Sequence, residues 1–101
     1  MKCFVVDIGN TSIAMAMIED GNIITTKKIA TYPIKKQTVL SSLKSFELDK
    51  QRSGAIISSV VPSCTNVWAA LIGQMIKQKP LLVTPKLKFE FFFKNQFESV
   101  L

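Results

Sequence analysis

Five consecutive residues near the start of the chain combine the side chains and backbone freedom that a phosphate site needs. Asp7 ends a dense apolar run, Gly9 follows it, and Asn10 and Thr11 carry short side chains that form hydrogen bonds. Glycine lets the backbone turn sharply and lets a ligand approach the amide groups closely. A carboxylate here suits Mg²⁺ held through water, because this cation keeps much of its hydration. A plain hairpin turn capped by Asp7 explains the same residues equally well.

A second segment of interest leads from a predicted strand into a predicted helix. It runs from Ile57 to Pro62 and has the sequence Ile-Ser-Ser-Val-Val-Pro. Ser58 and Ser59 are candidates for contact with a substrate. Strand serines more often form hydrogen bonds with the backbone or with neighbouring loops, and that alternative is the stronger of the two.

Strands must position both segments, and the apolar pattern predicts five of them. They cover residues 2–8, 12–19, 23–32, 54–61 and 81–84. Short turns join the first three, which should therefore form an antiparallel meander. The turn at Asp20-Gly21-Asn22 is typical of a tight hairpin, because Gly21 tolerates positive φ.

Two predicted helices separate the later strands. The first has apolar residues at helical spacing between positions 39 and 46, with Thr38 as its N-cap. The second begins at Pro62, places Trp68 on its apolar stripe and is stopped by Pro80. The order strand-strand-strand-helix-strand-helix-strand predicts an α/β fold with a mixed sheet, in which strand-helix-strand crossovers add parallel strands to the meander.

Length and composition exclude several classes of protein. The chain has 101 residues, of which 48% are hydrophobic and 20% charged, so it can bury a core. It contains no histidine, which excludes Ser-His and Cys-His nucleophile pairs and Cys/His zinc sites. Cys3 and Cys64 are expected to be reduced.

No apolar run reaches the roughly 20 residues that span a bilayer. Asp7 interrupts the first run too early for a signal peptide, so we expect a cytoplasmic protein.

The net charge of +6 raises the question of an acidic partner. A basic nucleic-acid-binding module would need clustered cations, and base-reading or phosphate-clamping surfaces favour arginine forks. The lysines are dispersed along the chain, and Arg52 is the single arginine. We therefore expect a solvated lysine surface, with neither nucleic acid nor membrane as partner.

Taken together, the two segments resemble the type III pantothenate kinases, a family similar to the actin, sugar-kinase and heat-shock-chaperone superfamily. Its members begin with an apolar strand and Asp-x-Gly-Asn-Thr, matched here by residues 7–11, and they carry Ser-Ser-Val-Val-Pro, matched by residues 58–62. The resemblance covers residues 1–85. It implies that this stretch is a ribonuclease-H-like, nucleotide-phosphate-binding N-terminal domain.

The resemblance also implies an activity, which is ATP-dependent phosphorylation of pantothenate to 4′-phosphopantothenate, the first step of coenzyme A synthesis. It implies an ATP phosphate loop formed by Asp7, Ile8, Gly9, Asn10, Thr11, Ser12, Ile13 and Ala14. Within that loop Asp7 would organise Mg²⁺. A monovalent cation, potassium or ammonium, and a homodimer with the active site near the subunit interface are implied as well.

The chain departs from the family pattern towards its end. The family's Gly-x-Asp-Arg motif, whose Asp is the catalytic base and whose Arg binds substrate, is absent from the sequence. Phe93 matches the family's aromatic substrate contact, with Gln96 where proline is expected. Residues 86–101 are therefore predicted to be a truncated tail leading toward a missing second domain, and the chain alone is predicted to be inactive. The alternative is a non-catalytic remnant or a regulatory module that binds a phosphate-bearing ligand.

Overall fold

The elements observed in the computed structural model, which describes residues 2–50 and 52–83, follow the predicted order. The strands are β1 (Lys2–Ile8), β2 (Ser12–Glu19), β3 (Asn22–Ala30), β4 (Gly54–Ser59) and β5 (Leu81–Val83). The helices are α1 (Lys36–Ser45) and α2 (Pro62–Ile76), with a short 3₁₀ turn at Leu48–Lys50. The predictions for residues 84–101, Phe93 among them, lie outside the described residues.

The strands form one mixed sheet in the order β3-β2-β1-β4-β5. The first three are antiparallel neighbours, whereas β4 lies parallel to β1 and β5 parallel to β4. Helix α1 carries the chain from β3 past β2 and β1, so the parallel neighbour of β4 is β1. The predicted α/β class and mixed sheet are confirmed, and β1 lies at the centre of the sheet where the antiparallel and parallel parts meet.

Both helices contribute to the core on one face of the sheet. Side chains from alternate positions of β1, β2 and β4 pack there with the apolar stripes of α1 and α2, and Trp68 is fully buried among them. The opposite face has a smaller apolar cluster around Val5 and Ile18, to which Cys3, Ile23, Ile56 and Val83 also belong. Strand β1 therefore has one set of side chains on each face, and Asp7 belongs to the face of the smaller cluster.

The turn between β2 and β3 has the conformation that its sequence predicts. Asp20 and Gly21 have φ of 51° and 82°, and they are the two central residues between the paired Glu19 and Asn22. Positive φ at both central positions is the type I′ arrangement, whose twist matches that of a hairpin. The expectation of a tight turn here is confirmed.

Four predicted boundaries were wrong. Helix α1 starts at Lys36 with Lys35 as a cap that has no side-chain hydrogen bond, so Thr38 lies inside the first turn and is not the N-cap. The apolar stripe marks the buried face of a helix but not its first residue. Helix α2 ends at Ile76, where Lys77 adopts the left-handed conformation, so Pro80 does not stop it. Strands β3 and β4 each end two residues earlier than predicted, at Ala30 and Ser59.

Candidate functional site

The chain reverses between β1 and β2 through a tight turn that is tied down by main-chain hydrogen bonds. The amide of Gly9 donates to the carbonyl of Ser12 at 2.9 Å, and the amide of Thr31 donates to the carbonyl of Thr11 at 3.0 Å. Asn10 and Thr11 lie at the tip and are exposed. Their side chains are therefore accessible to a ligand while the backbone beneath them is held in place.

Gly9 occupies a place where a larger residue fits poorly. A Cβ atom at this position would lie 3.1 Å from the carbonyl oxygen of Ser12, which is main chain and cannot swing away. Glycine therefore lets the two strands close the turn tightly. The requirement at Gly9 is for space, unlike that at Gly21, where the positive φ demands glycine.

Thr31 holds this turn from the end of β3, a role that sequence reasoning missed. Its buried hydroxyl donates a hydrogen bond of 2.7 Å to the carbonyl oxygen of Gly9. Nothing in the residue pattern marks Thr31, because the bond joins positions 22 residues apart. Thr31 falls inside the strand predicted over residues 23–32, so the sequence offers no separate signal for this role.

The predicted phosphate loop divides into residues that face solvent and residues that face the core. The side chains of Ile8 and Ile13 are buried with the helices, so these two residues can offer a ligand only their backbone. Asp7 and Ala14 are register partners on the opposite face, and both are half-buried. Ser12 is half-buried at the start of β2. The side chains able to meet a ligand in this segment are therefore those of Asp7, Asn10, Thr11 and Ser12.

The carboxylate of Asp7 is held in a partly apolar position. Burial raises the pKa of Asp7 above its ordinary value of 3.8, because desolvation disfavours the charged form. Among the described residues no cation forms an ion pair with Asp7. A bound cation or its hydration shell would compensate the buried charge, so this environment is suited to a positively charged ligand.

The structure brings the two sequence motifs side by side. Asp7 pairs with Ser58, and Ile8 pairs with Ser59, in the parallel register of β1 and β4. Beyond the last pair, the amide of Val60 donates to the carbonyl of Ile8 at 3.0 Å. Because carboxyl ends of parallel strands meet at one edge of a sheet, both motifs leave the sheet together, which is where ligands bind in open α/β folds.

The two candidate serines differ in their surroundings. The hydroxyl of Ser59 donates to the carbonyl of Val61 at 3.1 Å and accepts from its amide at 3.0 Å, so it stabilises the entry into α2. The hydroxyl of Ser58 is buried and forms no hydrogen bond with any described residue. Ser59 therefore has the structural role typical of strand serines, and Ser58 does not.

Asp7 fits Mg²⁺ held through water better than a metal enclosed by protein ligands. Within residues 2–50 and 52–83 no group of three or more Asp, Glu, Cys or His side chains lies close enough to hold a metal ion. Magnesium commonly uses one or two carboxylates, several waters and the phosphates of a substrate. One half-buried carboxylate beside an exposed turn is compatible with that kind of site.

Comparison with solved structures shows which fold this chain has. A putative N-acetylmannosamine kinase from Listeria monocytogenes superposes with a TM-score of 0.57 at 18% identity, covering 83% of this chain and 35% of that one. A protein with an actin-like ATPase fold from Bacteroides thetaiotaomicron gives 0.60 at 11% identity, covering 89% and 35%. At these identities the likeness concerns the fold alone. The chain thus has the fold of actin-like ATPases and sugar kinases.

Sequence comparison gives the family. The sequence profile of the type III pantothenate kinases matches residues 3–99. The type III pantothenate kinase of Borrelia garinii is 32% identical over 89 residues, which cover 88% of this chain and 34% of that protein. That of Acholeplasma laidlawii is 36% identical over 89 residues, covering 87% and 36%. The chain belongs to the type III pantothenate kinase family, and it spans about a third of the length of these curated relatives.

Neither helix of the described part is long and apolar enough to cross a membrane. Cys3 and Cys64 are both free, as predicted, with Cys64 fully buried in the core. Burial raises the pKa of the Cys3 thiol.

Proposed function

We propose that residues 1–85 form the nucleotide-phosphate-binding domain of a pantothenate kinase, which phosphorylates pantothenate to 4′-phosphopantothenate at the expense of ATP. The observation that carries this proposal is the position of Asp7 beside the tight turn closed by Gly9 and Ser12, at the carboxyl end of the central strand. Family membership supports pantothenate and ATP as the two substrates.

Each residue of the turn has a distinct task in this proposal. Asn10 and Thr11, exposed at the tip, donate hydrogen bonds to phosphate oxygens, and Gly9 lets the phosphates approach the backbone. Asp7 would hold Mg²⁺ through water, and the chemistry that such a cation would supply is neutralisation of charge on the transferring phosphates. Phosphoryl transfer depends mainly on positioning and charge stabilisation, so this half of the site supplies much of what the reaction needs.

Several finer features rest on the resemblance and complete the proposal. They are a monovalent cation (potassium or ammonium), a homodimer of the longer protein, a cytoplasmic location and a substrate contact at Phe93. We propose further that the 101-residue chain does not turn over alone. Its sequence lacks the Gly-x-Asp-Arg motif that supplies the base in this family, and its single arginine is Arg52.

A chimaera tests the proposal directly. Residues 1–101 are joined to the remaining part of the Acholeplasma laidlawii relative, and ADP formation is followed in a coupled assay with and without pantothenate. We expect pantothenate-dependent turnover by the chimaera and none by the chain alone. In the chimaera, Asp7→Asn should lower kcat by about 100-fold or more. The matched control Asp49→Asn, at an exposed carboxylate in the 3₁₀ turn, should leave kcat unchanged.

Two outcomes would contradict the proposal. Turnover by the purified 101-residue chain would refute its dependence on a second half. A chimaera that shows the circular dichroism of the relative and yet forms no pantothenate-dependent ADP would refute the kinase role. If the isolated chain still bound MgATP in that second case, a non-catalytic phosphate-binding module would be the better description.

A further inference from the structure

A buried hydroxyl that has no partner in the described part of the chain lies beside the carboxylate of the proposed phosphate site. Ser58 is 1% exposed, and its oxygen forms no hydrogen bond with any described residue. Buried polar groups are nearly always hydrogen-bonded, and an exception usually marks a water, an ion or a functional requirement. Ser58 is the register partner of Asp7, so both side chains rise from the same face of neighbouring strands.

Among residues 2–50 and 52–83, no group near this pair forms a hydrogen bond with the hydroxyl. On the same face, Val5 and Ile56 precede the two residues along their strands, while Ala14 and Val83 flank them on the neighbouring strands. All four side chains are apolar. The Asp7 carboxylate and the Ser58 hydroxyl are thus two polar groups within an apolar frame, at the edge of the sheet that the turn occupies.

No direct hydrogen bond joins the Ser58 hydroxyl to Asp7, which leaves both oxygens available to a shared water. Cα atoms of neighbouring strands lie about 4.8 Å apart, and the hydroxyl makes no hydrogen bond to Asp7. Two oxygen acceptors side by side can receive the two hydrogens of one water molecule. A water bound to a divalent cation donates both of its hydrogens strongly, because the cation draws electron density from its oxygen.

We propose that Ser58 is a positioning residue for a hydrated divalent cation, and that it accepts a hydrogen bond from a cation-bound water that Asp7 also holds. The inference rests on the proposed function, since the cation accompanies a nucleotide phosphate. It assigns the first serine of the Ser-Ser-Val-Val-Pro segment to the ligand, whereas Ser59 shapes the start of α2. In this proposal the two sequence motifs lie side by side because one residue of each, Asp7 and Ser58, holds the same cation-bound water.

Ser53 supplies a matched control for the test. It is the other buried serine of the described chain whose hydroxyl has no partner, and it precedes β4 at the end opposite to Ser58. Ser58 lies five positions further along extended chain, which is a distance of about 16 Å. Replacement by alanine removes an unsatisfied hydroxyl in both cases, so neither Ser53→Ala nor Ser58→Ala should lower the melting temperature.

The experiment measures the Kd of ATP by calorimetry, with saturating Mg²⁺ and with EDTA, for the unchanged chain and both variants. We expect Ser58→Ala to reduce the Mg²⁺-dependent gain in affinity by about five- to tenfold, the worth of one hydrogen bond. The Kd of ATP for Ser58→Ala in EDTA should stay within twofold of the value for the unchanged chain. Ser53→Ala should match the unchanged chain in both conditions.

An undiminished Mg²⁺-dependent gain in Ser58→Ala would overturn the inference and leave the proposed function standing. Equal loss of affinity with Mg²⁺ and in EDTA would overturn it too, because Ser58 would then act on the nucleotide or on the fold. If the unchanged chain bound ATP in neither condition, the proposed phosphate site itself would fail, and the role of Ser58 would fail with it.

Discussion

The Thr31 hydroxyl donates a hydrogen bond of 2.7 Å to the carbonyl oxygen of Gly9, joining the end of β3 to the turn between β1 and β2. The amide of Thr31 binds the carbonyl of Thr11 in the same turn. One residue therefore fixes both sides of the proposed phosphate loop from the outer strand of the meander. Because a phosphate loop acts through the placement of its donors, Thr31 should affect ligand binding without touching the ligand.

Replacement of Thr31 by valine tests this connection. Thr31→Val keeps the shape of the side chain but leaves the carbonyl of Gly9 without its donor, so it should cost about 1–2 kcal/mol in the free energy of unfolding. Affinity for MgATP should fall several-fold because the turn loosens. Thr31→Ser should restore most of the affinity. Thr26→Val, at an exposed threonine of β3, is the control and should change neither quantity.

The two turn glycines should respond differently to alanine. Gly9→Ala places a Cβ 3.1 Å from a main-chain oxygen, so the turn must open by a few tenths of an ångström. We expect affinity for MgATP to fall several-fold. Gly21→Ala meets open space but keeps a positive φ, which should cost about 1–2 kcal/mol of stability. Calorimetry and thermal unfolding should thus show a binding defect at Gly9 and a stability defect with unchanged binding at Gly21.

Asp7 should lower stability at neutral pH in the absence of a ligand. Burial raises its pKa in the folded state above the ordinary 3.8, so the unfolded chain ionises first as the pH rises. The contribution of Asp7 to stability is therefore most favourable below pH 3.8 and is lost as the pH rises through the folded-state pKa. Asp7→Asn should then melt a few degrees above the unchanged chain at pH 7, and the difference should vanish at low pH. An Asp7→Asn variant that melts lower at pH 7 would contradict the desolvated environment.

The cysteines offer a test of burial on each face of the sheet. Cys64 is fully buried, and burial raises the pKa of the half-buried Cys3, which leaves less of the reactive thiolate. At pH 8 an aromatic disulfide reagent should modify Cys3 about tenfold more slowly than a small free thiol. Cys64 should react after unfolding in denaturant. The slow phase should disappear in the Cys3→Ser variant, which assigns it to Cys3. Rapid modification of both thiols in the native chain would refute the burial of the two cysteines.

Sequence patterns identified the elements well because the apolar residues that define them are the ones that pack. The ends of strands were harder to predict from sequence, because a strand ends where the strand that it pairs with ends. β3 ends at Ala30 because that residue pairs with Ser12, the first of β2, and β4 ends at Ser59 because its partner is Ile8, the last of β1. A single strand's pattern contains no information about the length of its partner.

The part of the site that could be predicted from sequence is the motif whose residues are close together in the chain. Asp7 to Thr11 stand out because a carboxylate, a glycine and two hydrogen-bonding residues adjoin in sequence. The role of Thr31 was not predictable, because it depends on a bond across the meander. The pattern likewise could not tell Ser58 from Ser59, since they differ in hydrogen bonding: the Ser59 hydroxyl bonds to the backbone of Val61, and the Ser58 hydroxyl has no partner among the described residues.

Amide chemical shifts of the isotope-labelled chain during titration with MgATP test the central claim most directly, since they report binding residue by residue. We predict saturable shifts, largest at the amides from Gly9 to Ser12, and their loss in Asp7→Asn. Shifts scattered over the lysine surface, no saturable shift, or the same response in Asp7→Asn would contradict the claim that this turn holds nucleotide phosphate.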